Sequence, residues 1–312
     1  MKGLRLALLI LLALAACALY LFIGAPSGYI VAQFLVPRLL LAVMAGFVLA
    51  GTGTVFQAML GNPLADPYIL GTSSGAALGA TVAVVLGLWW AMPLLGFIGA
   101  LLSMALVWRL AQFGGFQTTR LLLAGIIVGM FFSAAISLLM YLNPDKLNSI
   151  VNILLGRLDP VFTGASWSLF LVVFALSGAL MVVLFGLSEH LAALTAGDLV
   201  ATNLGIRVQR LRLWLFVLCS LLVGVTVAYA GVIGFVGLVV PHMARMLFGS
   251  HPRRSLPAAA ILGAALLVLC DFLARHVAGW IVPGSAMQIP VGVITAFLGS
   301  PFFLYIMARS RR

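Results

Sequence analysis

The stretches that carry no formal charge constrain this chain most: Leu6 to Ala25, Leu39 to Ala65, Pro67 to Trp108, Leu121 to Pro144 and Val161 to Ser188. A helix rises about 1.5 Å per residue, so roughly 20 apolar residues cross the hydrocarbon core of a bilayer, and every run reaches that length. Lipid offers the backbone no hydrogen-bonding partner, which leaves only helices and closed barrels as spanning structures. The runs are apolar throughout rather than alternating, so they predict helices and argue against a barrel. Only 7% of the 312 residues are charged and the mean hydropathy is +1.25, which excludes a soluble globular protein. The expected fold is all-α: one polytopic membrane domain over residues 1–312, with no room for a soluble catalytic domain.

Breaks at Gly, Pro and charge clusters divide the chain into ten spans, at about 6–25, 39–60, 69–88, 91–110, 120–142, 165–187, 211–230, 232–248, 257–279 and 289–308. Two divisions fall inside uncharged stretches. One is placed at Trp89, Trp90 and Pro93, where interfacial indoles meet a helix-starting proline. The other is placed near Gly231, because Leu213–Ala244 as a single helix would exceed the hydrocarbon thickness.

With the amino terminus inside, thirteen of the 17 Lys and Arg side chains fall in cytoplasmic segments. The four outside are Arg38, Lys146, Arg157 and Arg275. The bias supports both the orientation and an even helix count, with both termini cytoplasmic. It also gives the net charge of +11 a topological cause, so no nucleic-acid partner is implied.

Two connections are long. Residues 143–164 lie outside, and Ile150 to Leu155 is too short to span, so a short surface helix is expected. Residues 188–210 lie inside; Asp198 can start a short helix and Gly205 can end one. A faint internal echo relates the run after Arg38 to the run after Arg212.

Enzymatic chemistry finds no support. HExxH, GxSxG and Walker patterns are missing, and the six acids are scattered singly. Cys17, Cys219 and Cys270 lie in apolar runs without metal-ligand spacing, so neither a disulfide framework nor a metal site is implied, and no cofactor is expected. Asp271 is the one acid within a span, four residues before Arg275 on the same helix face, where the two can neutralise each other. Lys2 and Arg5 before an apolar run ending at Cys17 resemble a secretory signal, but the run continues to Ala25 and reads better as an uncleaved first helix. The 33 glycines suit close helix packing, while Asn62-Pro63-Leu64-Ala65-Asp66-Pro67 demands a fixed turn at a span end.

The segments PRLLLAVMAGFVLAGTGTVFQAMLGNPLADPYILGTSSGAALGA, TTRLLLAG, GDLVATNLG, GVIGFVGLVVPHMARMLFG and IPVGVITAFLGSPFF, in this order, resemble the permease subunits of the ABC importers that bring iron-siderophores, haem and cobalamin into bacteria, the FecCD type. The resemblance implies ten helices in the bacterial inner membrane, a second permease copy, two cytoplasmic ATP-binding subunits that carry out ATP hydrolysis, and an external substrate-binding protein. It implies a cytoplasmic gate at Asn62, Leu64, Thr118 and Thr119, an ATPase-coupling element at Asp198, Ala201, Leu204 and Gly205, and binding-protein docking through Arg38 and Arg275. Three positions depart from the family pattern: Leu35 where a second Arg is common, Gln288 where an acid precedes the final Pro-x-Gly, and His251 in place of Asp. The rival reading from the residues alone is an ion-coupled secondary carrier, with an intramembrane enzyme more distant.

Overall fold

The computed structural model describes residues 2–22, 28–68, 71–112, 118–159, 162, 164–281 and 287–309, the side chains of residues 2–8, 12, 19, 22, 118 and 306–309 excepted. The described residues are helical apart from their connections, and none forms a strand. In order the helices are α1 (Lys2–Phe22), α2 (Gly28–Ile30), α3 (Val36–Leu60), α4 (Thr72–Val85), α5 (Met92–Gln112), α6 (Thr118–Leu142), α7 (Leu147–Leu154), α8 (Gly164–Gly186), α9 (Ser188–Thr195), α10 (Asp198–Asn203), α11 (Val208–Ala230), α12 (Val236–Phe248), α13 (Pro252–Ile281) and α14 (Val291–Arg309). Among the described residues, six helices are long and apolar enough to cross a membrane: those over Gly28–Leu60, Trp89–Gln112, Thr119–Leu142, Gly164–Gly186, Val208–Ala230 and Pro252–Ile281. The remaining expected spans fall on shorter apolar helices, within α1, α4, α12 and α14.

One boundary differs from the sequence reading. A π-helical turn over Val31–Leu35 joins α2 to α3, so the helix begins at Gly28 rather than near residue 39. Pro37 lacks the N–H that a regular turn uses, and the wider turn, closed by Val36 N–H donating to Val31 C=O, accommodates it at the start of α3.

α3 is the centre of the bundle, packed by α11, α12 and α13. Glycine sets these approaches. A Cβ at Gly46 would lie 2.2 Å from the Gly263 carbonyl oxygen on α13, and one at Gly53 would lie 2.1 Å from that of Gly237 on α12. In lipid, helices gain nothing from hiding apolar surface from one another, so close backbone packing at small residues holds them together.

α4 and α12 have 14 and 13 residues, about 20 Å each, which falls short of a bilayer core. Each follows residues that are non-helical, 61–68 and 71 before α4 and 231–235 before α12, whose backbone groups need other partners. The two stretches help each other: Ile233 N–H donates to the Tyr68 hydroxyl at 2.9 Å. Val232 N–H donates to Ile153 C=O at 3.1 Å.

Candidate functional site

The turn after α3 is built from two successive Asx turns. Gly61 ends the helix at φ +60°, where a side chain would strain the backbone. Leu64 N–H donates to Asn62 Oδ1 at 2.9 Å, and Tyr68 N–H donates to Asp66 Oδ1 at 2.9 Å, so the two acceptors restrain a backbone interrupted by Pro63 and Pro67. Burial pushes Asp66 up to about 6. Leu64 is 47% exposed, an apolar side chain with nothing over it, and Thr119 is exposed at the start of α6. The Thr118 side chain lies outside the described residues. No hydrogen bond among the described residues joins Asn62 or Leu64 to Thr119.

The segment over residues 188–210 forms two short helices, α9 and α10, rather than one. Gly197 at φ +113° and Gly205 at φ +79° bracket α10 with backbone conformations that favour glycine. Leu199, Val200 and Leu204 are 83%, 44% and 67% exposed, leaving an apolar face uncovered. Ala201 is fully buried against the chain's own core, so its small size lets α10 lie on the bundle. Asp198 is exposed but paired: Arg212 on α11 donates from Nη1 and Nη2 to its two carboxylate oxygens at 2.9 and 2.8 Å.

At the opposite end, Arg38 and Arg275 converge on one carboxylate. Arg38 Nε and Nη2 donate to Asp271 at 2.7–3.0 Å, and Nη1 donates to Gln288 Oε1 at 2.6 Å. Tyr20 on α1 donates to Asp271 Oδ2 at 2.5 Å. The Arg275 guanidinium stacks 4.0 Å above the Tyr20 ring, with Nε 3.8 Å from Asp271. The expected Asp271–Arg275 neighbours are present, but the tight partner is Arg38. Arg38 is 9% exposed with every guanidinium nitrogen engaged, so it is part of a buried network rather than a free cation. Gln288, standing where an acid is common, accepts a hydrogen bond without adding a second negative charge.

A cavity of about 540 Å³ opens among α7, residues 232–235 and α14, lined by Leu154, Leu155, Val232, Phe235, Phe297 and Pro301, among others. Phe235 has φ +68°, the one non-glycine with positive φ among the described residues, and its ring fills the space beside Gly299. Strain of this kind persists where surrounding packing fixes it, and it clusters at functional positions.

Sequence reasoning missed Tyr20, Tyr68, Arg212 and the pair in which Arg245 Nη1 donates to Gln57 Oε1 at 2.7 Å. No local pattern signals them, because each partner lies on a different element of the fold.

A bundle of apolar helices, six of them long enough to cross a bilayer among the described residues, defines a multi-pass helical membrane protein. The chain belongs to the FecCD transport family, whose family model matches residues 6–309. It is 39% identical over 287 residues to the hemin transport system permease protein HmuU of Yersinia pestis, covering 88% of this chain and 82% of that one. It is 36% identical over 320 residues to the vitamin B12 import system permease protein BtuC of Klebsiella pneumoniae, covering 99% and 93%. A solved structure described as an inward-facing conformation of a metal-chelate type ABC transporter superposes with a TM-score of 0.87 at 32% identity, covering 99% of both chains.

Proposed function

We propose that this chain is the membrane-spanning subunit of an ATP-driven importer in the bacterial inner membrane, moving an iron-siderophore, or haem or cobalamin, from an external binding protein into the cytoplasm. It crosses the membrane ten times with both termini inside, pairs with a second permease copy, and draws energy from two ATP-binding subunits that carry out the hydrolysis. The observation that carries this reading is α10: a glycine-bracketed helix outside the spans that exposes Leu199, Val200 and Leu204, the surface a soluble subunit would cover. Leu64, with Asn62, Thr118 and Thr119, forms the gate where two copies meet at the cytoplasmic end. Arg38 and Arg275 serve docking through the surplus positive charge that two arginines and one carboxylate leave at the outer end.

The alternative of an ion-coupled carrier needs an intramembrane acid that is not already tied up in an ion pair. Asp271 is held by Arg38 and Tyr20, which disfavours that alternative. Co-expression with an ATPase encoded beside this chain tests the proposal. A stable complex whose ATP hydrolysis responds to the binding protein is expected; a chain that assembles with no ATPase would contradict it.

A further inference from the structure

Resting on the importer reading above, we infer that Asp198 and Arg212 form a latch that makes the coupling helix α10 and the span α11 move as one body, so that nucleotide-driven motion reaches the outer mouth of the pathway. Arg212 is the one side chain among the described residues that hydrogen-bonds α10 to a long apolar helix, and it does so with both Nη atoms on both carboxylate oxygens. Such a two-point contact fixes orientation as well as distance. The Arg212 side chain is 14% exposed, so the latch is anchored on the α11 side and presented on the α10 side, where Asp198 is 55% exposed.

The glycines at positions 197 and 205 sharpen the need for such a contact. Positive φ at both residues turns the chain sharply into and out of α10, and the ion pair and the buried Ala201 are the side-chain contacts that seat the short helix on the bundle. α11 then runs 23 residues, about 35 Å. Its far end enters a junction of backbone hydrogen bonds. Arg157 N–H donates to Ala230 C=O at 2.9 Å and Val232 N–H to Ile153 C=O at 3.1 Å. Gly292 N–H, at the start of α14, donates to Leu155 C=O at 3.1 Å. The backbones approach closely at this junction: a Cβ at Gly231 would lie 2.4 Å from Ile153 C=O and one at Gly156 would lie 2.5 Å from Val232 C=O. A displacement of α10 is therefore carried by a rigid helix to the segment that lines the cavity at Leu154 and Leu155. Asp198 is on this account a positioning residue rather than a contact offered to the ATPase.

The test uses the full complex with its ATPase in proteoliposomes. Cys17, Cys219 and Cys270 are replaced by Ala, Leu155→Cys is added, and a membrane-impermeant maleimide probes the outer mouth. With the native pair, labelling rates should differ several-fold between nucleotide-free and ATP-vanadate-trapped complexes. Asp198→Ala and Arg212→Gln should each abolish that difference while assembly and ATP hydrolysis continue, and exchanging the charges, Asp198→Arg with Arg212→Asp, should restore it. A single variant that keeps the native response, or an exchanged pair that does not regain it, overturns the latch. Loss of assembly or hydrolysis in the single variants would make the pair a folding contact, and this too overturns it. A chain with the native pair that binds no ATPase overturns the importer reading itself, a distinct result.

Discussion

Arg38 and Asp271, 233 residues apart in sequence, meet through hydrogen bonds of 2.7, 2.8 and 3.0 Å in a site where the carboxylate is wholly buried. The pair ties the start of α3 to α13, and Tyr20 brings in α1 by donating to the same carboxylate. Removing one member of a buried pair strands the other charge, at a cost of about 3–5 kcal/mol. Asp271→Asn and Arg38→Ala should therefore sharply lower the thermal midpoint in detergent, and Tyr20→Phe should cost about 1.5–3 kcal/mol as a lost bond to a charged group. Arg38→Glu should fail at folding at any salt concentration, because it sets a second carboxylate against Asp271. A normally stable Asp271→Asn protein would contradict this reading of the cluster.

How much of this was legible follows from how each contact is encoded. The long apolar helices, the break at Gly231, the short helix over Leu147–Leu154 and the start of a helix at Asp198 are local: apolar run length, a glycine at positive φ and an acid in the first helical turn lie within a few residues of what they determine. The neighbours Asp271 and Arg275 were legible for the same reason, since i and i+4 share a helix face. Arg38 to Asp271, Arg212 to Asp198 and Tyr68 to Ile233 depend on how helices dock, and no spacing rule reports that. The π turn before α3 was hidden because Pro37 looks like a helix start, which a widened turn upstream converts into an interior position.

The turn at residues 61–68 carries a pH signature. A buried acid whose folded pKa is about 6, above the ordinary unfolded value of 3.8, favours the fold below pH 4 and loses that contribution as pH rises through about 6. Asp66→Asn keeps the acceptor for Tyr68 N–H and removes the buried charge. The native protein should lose a few degrees of thermal midpoint, roughly, between pH 5 and pH 7.5, and the Asn variant should lose less. Parallel pH profiles for the two would remove Asp66 from this role.

The exposed face of α10 should govern assembly without governing stability. Leu199→Asp and Leu204→Asp alter side chains that are 83% and 67% exposed, so the isolated chain should insert and melt normally, within about 0.5 kcal/mol, while binding to the ATPase falls. Gly205→Trp adds strain at φ +79° and bulk beside that face, and should abolish uptake and stimulated hydrolysis. Pull-down of the ATPase by these variants at undiminished strength would remove α10 from the interface.

Helix crossings should tolerate no added volume at Gly46. Gly46→Val places side-chain atoms where the Gly263 carbonyl already stands 2.2 Å from a Cβ, so α3 and α13 must separate, at a cost of about 1–3 kcal/mol or more. Gly178, with nothing within 4 Å of its Cβ position, should accept Ala without loss. Equal melting temperatures for the two variants would contradict the packing account.

Leu64 marks the proposed gate. In a background lacking the three native cysteines, Leu64→Cys should cross-link between permease copies in one nucleotide state and far less in another. A yield indifferent to nucleotide while transport continues would place the gate elsewhere.

The central claim is that this chain passes a metal chelate or corrinoid inward at the expense of ATP hydrolysed by a partner. The most direct measurement is uptake into proteoliposomes containing the permease with its ATPase, offered the binding protein loaded in turn with an iron-siderophore, haem or cobalamin. Accumulation of one ligand that requires both ATP and the binding protein, and that persists when ion gradients are collapsed, is the result this account predicts. Accumulation driven by an ion gradient without ATP would contradict it.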